Sequence, residues 1–289
     1  MRTPIHKALF TLGAIVLTTA ASAQAPLSTV PAETTRRESF EPEVGQQGKD
    51  VIWVPTPQEL VEKMLDLAKV TPADFLIDLG SGDGRIAIAS VKDFKAKKAV
   101  GIDLDPQRIK ESLENHAKSG VGDRVTFLNQ NIFATNFSEA TVISLYLLPQ
   151  LNVRLRPTIL DMKPGTRIVT QSFDMGDWEP DHTEDVEFNE SYKGQKTVYL
   201  FIVPAKVAGK WTMADGPRNI SLQIEQKFQN CSGTATVSGK ASSLIGCKLS
   251  GTKIEFTVAA DGKPVKYQGT VNGGVITGAD SATWSAKKT

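Results

Sequence analysis

The clearest chemistry in the chain lies in Leu76-Ile77-Asp78-Leu79-Gly80-Ser81-Gly82-Asp83-Gly84-Arg85. An apolar run ends in a carboxylate, glycines follow at alternate positions, and a helical pattern begins at once. A second apolar run, Ala99-Val100-Gly101-Ile102-Asp103, ends in another carboxylate. Glycine lets a chain turn tightly and brings bare backbone against a ligand, where a Cβ would collide. An acid at the end of the next strand can accept the hydroxyl hydrogens of a ribose. The set reads as the nucleotide-binding edge of a parallel sheet and points to an adenosyl ligand. A turn whose glycines serve chain reversal alone is the plainer alternative.

The spacing separates two ligand classes. Dinucleotide sites use G-x-G-x-x-G, with the pyrophosphate at a helix N-terminus. Here the glycines are Gly80, Gly82 and Gly84, with Asp78 before the first and Asp83 inside the loop. Two acids there would repel a pyrophosphate. They suit a ligand carrying an ammonium and a sulfonium.

The elements that must position these residues follow from pattern. Thr56-Pro57-Gln58-Glu59 reads as a helix start, with Thr56 as N-cap, Pro57 at the first helical position and Glu59 reaching back. Leu60, Val61, Met64, Leu65 and Ala68 then recur at helical spacing. Strands are expected at Phe75 to Leu79, Ala99 to Asp103, Val125 to Leu128, Thr141 to Leu147 and Arg167 to Gln171. Helices are expected at Arg85 to Phe94, Pro106 to about Ser119 and about Leu151 to Met162. Thr183 to Tyr192 and Thr197 to Val203, around the Lys193-Gly194 turn, read as an antiparallel hairpin. Alternating strands and helices make an α/β fold, and right-handed crossovers bring its ligand loops to one sheet edge.

From about Ala208 the pattern changes. Ile220 to Glu225 alternates with period two, Asp261-Gly262 and Asn272-Gly273 are hairpin turns, and no helical period appears. This predicts a small antiparallel all-β domain. Trp211 and Trp284, near its two ends, are expected to seal a sandwich or barrel. The chain's two cysteines, Cys231 and Cys247, both lie here. In an oxidising compartment a disulfide between them would close a short loop and stabilise it by roughly 3 kcal/mol. Two buried thiols are the alternative. No local histidine completes a metal site, and no metal is expected.

At the N-terminus, Arg2 and Lys7 precede an apolar stretch from Ala8 to Leu17, and Ser22-Ala23 closes a small-residue cleavage pattern. This is the grammar of a signal peptide over 1–23. A flexible lead-in over 24–49 is expected to follow, rich in Pro, Thr, Glu and Arg. The expected location is exported, periplasmic or secreted; an uncleaved membrane anchor is the alternative. Basic residues (33) nearly balance acids (32), so nothing suggests a nucleic-acid surface.

Asp78-x-Gly80-x-Gly82-x-Gly84 and the later Asp103 resemble the motifs of class I S-adenosylmethionine-dependent methyltransferases. Ile52-Trp53-Val54-Pro55-Thr56-Pro57 adds a resemblance to the small protein-lysine branch that includes the mitochondrial ATP synthase c-subunit and adenine nucleotide translocase enzymes. The resemblance covers roughly Val51 to Val203. It implies a Rossmann-like seven-stranded sheet over 50–205, with 206–289 as the added β domain. It also implies roles. Asp78, with the backbone of Gly80, Ser81 and Gly82, would hold the methionine moiety, and Gly84 would let the next helix approach. Asp103 would hold the ribose, Leu104 the adenine face, and Asn131 the adenine amino group in place of the family's usual acid. Pro55 and Thr56 would sit beside the methyl donor. Tyr146, Pro149 and Gln150 after the fourth strand, and Ser172, Phe173 and Trp178 after the fifth, are the candidates for the acceptor pocket, though each aromatic could equally be core. His116 reads as a solvated helix position and His182 as a weak candidate base.

The resemblance implies S-adenosylmethionine as co-substrate and a protein or small molecule as methyl acceptor, with protein lysine as the leading expectation. A small-molecule methyltransferase, or an exported binding protein that keeps the fold without catalysis, are the alternatives.

Overall fold

Seven strands form one sheet in the order β3-β2-β1-β4-β5-β7-β6 in the computed structural model, which describes residues 54–187, 196–260, 263–279 and 283–289. The expected leader, the lead-in, Val51 to Trp53, and the Lys193-Gly194 and Asp261-Gly262 turns lie outside the described residues. The strands are β1 Phe75–Leu79, β2 Lys98–Asp103, β3 Val125–Asn129, β4 Val142–Leu145, β5 Arg167–Gln171, β6 His182–Val186 and β7 Lys196–Ile202. β1 to β5 run parallel, and β7 pairs antiparallel with β5 and β6. Strand order reverses between β2-β1 and β1-β4, the point where open α/β sheets bind ligands.

The helices are α1 Gln58–Leu67, α2 Arg85–Lys92, α3 Pro106–Ser119 and α4 Pro149–Leu160. α1 buries Leu60, Val61, Met64 and Leu65, the stripe expected from their spacing. α3 starts on a side-chain cap, Asp105 accepting from the Gln107 amide, and stops at left-handed Gly120.

Local pattern failed in three places. Thr56 is not the cap of α1: that position is Pro57, with no side-chain cap bond, and Glu59 closes no capping box. β4 ends at Leu145, so Tyr146 to Leu148 leave the sheet. α4 begins at Pro149, two residues earlier than expected, because a proline at the first helical position gives up no hydrogen bond.

The C-terminal strands are β8 Gly209–Asp215, β9 Arg218–Lys227, β10 Asn230–Val237, β11 Lys240–Ser243, β12 Ile245–Ser250, β13 Lys253–Ala260, β14 Lys263–Asn272, β15 Val275–Gly278 and β16 Trp284–Lys288. β8 pairs with β9 and β16, and β9 also pairs with β10. The antiparallel ring therefore closes through β10, β12, β13, β14 and β15, with β11 laid along β10. It is a barrel rather than a sandwich, and closure leaves few edges to pair with other chains. Alternate residues fill it: Ile220, Leu222 and Ile224 of β9 point inward. Trp284 meets Phe256 and Tyr267 edge-on at 5.9 and 5.4 Å. The Trp211 indole donates to the Val207 carbonyl at 2.7 Å. Both tryptophans are therefore core. The Cys231–Cys247 disulfide ties β10 to β12 beside the register pair Asn230↔Lys248, where the ring closes.

The barrel docks on the sheet through Phe228, which stacks on Trp178 at 6.0 Å, and through Gln229, whose amide donates to the Glu179 carbonyl at 2.7 Å. Residues 206–289 carry eleven basic and five acidic side chains. Two of those lysines, Lys206 and Lys227, pair with Asp161 and Asp177 of the sheet domain.

Candidate functional site

β1 delivers Asp78 to the carboxyl edge of the sheet, between Gly101 of β2 and Ser144 of β4. The side chain is buried. The Ser144 hydroxyl donates to Asp78 Oδ1 at 2.7 Å, while Oδ2 has no partner among the described residues. Burial pushes the Asp78 carboxyl up to about 7, and the nearby charges of Asp103 and Asp83 add to the rise although Ser144 opposes it. A buried carboxylate oxygen without a donor is unfavourable unless a ligand supplies one. An ammonium fits that need.

The loop after β1 is held against β2. The Gly80 and Ser81 amides both donate to the Ile102 carbonyl, at 2.8 and 3.0 Å, and Gly80, Gly82 and Gly84 all take positive φ. The Gly82 amide donates to Asp103 Oδ2 at 2.8 Å, and the Asp105 amide to Oδ1 at 2.9 Å. Burial raises the Asp103 carboxyl, and these two amides partly offset it. Each oxygen keeps a lone pair for a ribose hydroxyl. Ser81 Oγ is buried without a partner among the described residues.

Asp83 does not face a ligand as the sequence suggested. The Arg85 guanidinium grips both of its oxygens, Nε at 2.9 Å from Oδ1 and a terminal nitrogen at 2.5 Å from Oδ2. The acids left for a cationic ligand are Asp78 and Asp103. Arg85 also donates to the Thr56 carbonyl at 2.6 Å, which anchors the segment before α1 to the loop. Thr56 is buried, and its hydroxyl donates at 2.9 Å to Gln171 Oε1 at the end of β5. Half-buried Pro55 precedes it.

Leu104 stands 40% exposed, an apolar surface where an adenine would lie, and the Asn129 amide holds its carbonyl at 2.8 Å. Asn131 serves its own loop, its side-chain oxygen accepting from the Phe133 amide at 2.9 Å. That oxygen keeps one lone pair for an adenine amino group.

Past Asp78 the edge is aromatic. Tyr146 stacks on Phe173, ring centres 6.4 Å apart and planes 18° apart, and burial raises the Tyr146 hydroxyl. Pro149 and Gln150 are on the first turn of α4, Gln150 exposed to solvent. Ser172 has φ of +64° and a buried hydroxyl without a partner among the described residues. Trp178 does not join this wall. It is fully buried, packed on Phe201 at 5.1 Å and under the barrel's Phe228, so its aromatic surface belongs to the domain contact. His116 bonds the Gly122 carbonyl on exposed α3, and His182 opens β6 at the far side of the sheet.

Four residues escaped the sequence reading: Ser144, Gln171, Arg85 and Gly101. A Cβ on Gly101 would come within 2.5 Å of the Phe127 ring and 2.8 Å of Ser81 Cβ, so β2 can pass beneath the loop only without a side chain. The signal was a glycine interrupting an apolar strand. Ser144 was a hydroxyl in the middle of an apolar strand, Val142 to Leu145.

Comparison with known proteins finds methyltransferases. The family described as "ANTKMT methyltransferase domain" matches residues 78–182. A "Protein-lysine N-methyltransferase" of Saccharolobus islandicus (strain REY15A) is 42% identical over 154 residues, 53% of this chain and 94% of the relative. The ATP synthase c-subunit lysine N-methyltransferase of Mus musculus is 29% identical over 132 residues, 45% of this chain and 52% of that protein. A solved structure described as an RNA methyltransferase from Salinibacter ruber in complex with S-adenosyl-L-homocysteine is 42% identical. It covers 53% of this chain and 96% of its own, with a TM-score of 0.48.

Proposed function

The chain belongs to the S-adenosylmethionine-dependent methyltransferase family that includes the archaeal protein-lysine N-methyltransferase, and from that premise we propose that it methylates the side-chain amine of protein lysine. The observation that carries this reading is the buried, unpartnered Asp78 Oδ2 beside a loop with glycine at every other position. It matches a ligand with an ammonium at one end and an adenosyl group at the other.

When bound, the donor supplies a methyl group already activated by a sulfonium. What the protein must add is placement. Asp78 binds the ammonium, Asp103 accepts from the ribose, and Leu104 lies against the adenine. Arg85 and Thr56 lock the segment before α1 onto both the loop and β5. The acceptor lysine enters beside Tyr146 and Phe173, where loss of water disfavours its ammonium form, so it yields its proton to solvent without a histidine. The amine lone pair forms the N–C bond as the C–S pair returns to sulfur, and the methylated amine sheds its surplus proton to solvent.

The leader over 1–23 supports export to a periplasmic or extracellular space, and the disulfide in the barrel suits such a compartment. N-terminal sequencing of the mature protein should begin at Gln24; a start at Met1 in a membrane fraction would favour the anchor.

The test of function is transfer of labelled methyl to an envelope protein extract, followed by hydrolysis to amino acids. Label in methyl-lysine, lost with Asp78→Asn, supports the proposal. Label confined to small metabolites overturns it in favour of a small-molecule enzyme, and donor binding without transfer in favour of a binding protein.

A further inference from the structure

Ser172 is the centre of a turn that the fold has no local reason to prefer. The Phe173 amide donates to the Gln171 carbonyl at 2.7 Å across a residue with φ of +64°, the rare and strained form of the three-residue turn. Strain of this kind persists only where the surroundings over-determine it. They do here. The Ser172 amide is held by the Thr197 carbonyl at 2.7 Å, and the Gln171 side chain by Thr56. The Phe173 carbonyl accepts from the Thr170 hydroxyl at 2.6 Å and from the Asn152 amide.

The hydroxyl that this arrangement presents satisfies nothing in the protein: Ser172 Oγ is buried and unpartnered among the described residues. Its place on the edge is informative. Asp78 is opposite Ser144, Ser144 is opposite Val169, and Ser172 lies three residues further toward the carboxyl rim. It is therefore two strands from Asp78, about 10 Å across the sheet and about 10 Å further along it, roughly 14 Å in all, and adjoins Phe173 of the Tyr146–Phe173 aromatic pair. A ligand laid from Asp103 toward Asp78 runs along the rim in the direction of β4 and β5, where these residues come next.

We propose that the Ser172 hydroxyl orients the acceptor amine, accepting a hydrogen bond from one of its N–H groups so that the nitrogen lone pair is left facing the methyl carbon. The inference rests on the methyltransferase reading above and deepens it by naming the group that meets the nucleophile. Ser172 is thus a catalytic residue of the acceptor side that leaves donor binding unchanged.

The experiment needs no knowledge of the acceptor. Sinefungin, a donor analogue with a primary amine in place of the transferred methyl, points N–H donors from the methyl position toward the acceptor space; S-adenosylhomocysteine does not. Calorimetric affinities of both are measured for the wild type, Ser172→Ala and Ser172→Gly. Both variants should lose about tenfold in sinefungin affinity and hold S-adenosylhomocysteine as the wild type does. Ser172→Gly should also melt a few degrees higher, because glycine relieves the left-handed strain, which keeps the test open should the alanine variant fail to fold. Unchanged sinefungin binding, or equal weakening of both analogues, would overturn the assignment. Failure of the wild type to bind S-adenosylhomocysteine would instead strike the methyltransferase reading itself.

Discussion

Asp78 on β1 and Ser144 on β4 share one hydrogen bond, 2.7 Å from Ser144 Oγ to Asp78 Oδ1, and the second carboxylate oxygen is buried without a partner among the described residues. A sheet seldom buries a carboxylate on half its hydrogen bonds. The second half is where the ligand's ammonium belongs.

Donor affinity should therefore depend on pH through Asp78. In the free protein its carboxyl titrates near 7, and the ammonium requires the ionised form. Below about pH 7 binding must expel a proton, so affinity should fall roughly tenfold per unit and level off above. Folding also raises this carboxyl above its ordinary 3.8. The folded state then holds a proton that the unfolded chain releases, and stability declines as pH rises from about 4 to 7. Asp78→Asn should flatten both trends and melt higher than the wild type near pH 8. Titrations and melts across this range check it; a pH-independent affinity in the wild type would rule out Asp78 as the ammonium site.

Gly101→Ala should destabilise the protein by about 1–3 kcal/mol, because the new Cβ meets the Phe127 ring at 2.5 Å. A second change, Phe127→Leu, should recover part of that loss. Urea unfolding of the single and double variants gives the coupling; strictly additive effects would mean that the ring is not the obstacle.

Thr56 and Gln171 should be coupled although 115 positions separate them. Thr56→Val leaves the Gln171 oxygen buried and unpaired, a loss of about 1–3 kcal/mol, whereas pairing it with Gln171→Leu should cost less than the sum of the two single changes. Zero coupling would mean that the Thr56–Gln171 hydrogen bond does not tie this segment to β5.

Reducing Cys231–Cys247 should lower barrel stability by roughly 3 kcal/mol and leave donor affinity unchanged, since the bond joins β10 to β12 and touches no residue of the rim. Thermal melts and donor titrations with and without reductant measure both. A parallel fall in affinity would tie the barrel to the donor site.

The donor half of the site was legible in the chain because its parts are local. Asp78, the glycines and Asp103 sit at the ends of two adjacent strands, and strand-end position follows from hydrophobic pattern alone. What escaped was set by distant pairing. Thr56 looks like a helix cap because capping is a short-range pattern, while its partner Gln171 is brought close only by the sheet. Trp178 looks like a pocket aromatic because it follows a strand, while Phe201 of β7 and the barrel's Phe228, both distant in sequence, bury it. Asp83 was misjudged although Arg85 is two residues away, since the sequence does not show which way a guanidinium turns. The barrel was legible as alternation and hairpin turns, but closure depends on β9 pairing with both β8 and β10.

The most direct measurement is calorimetric titration of S-adenosylhomocysteine into the purified wild type, Asp78→Asn and Asp103→Ala. The wild type should bind one ligand per chain, Asp103→Ala should lose about 1–3 kcal/mol of binding free energy, and Asp78→Asn at least as much. A wild type that takes up no ligand, or variants that bind as tightly as the parent, would contradict the assignment of these two carboxylates to the methyl donor.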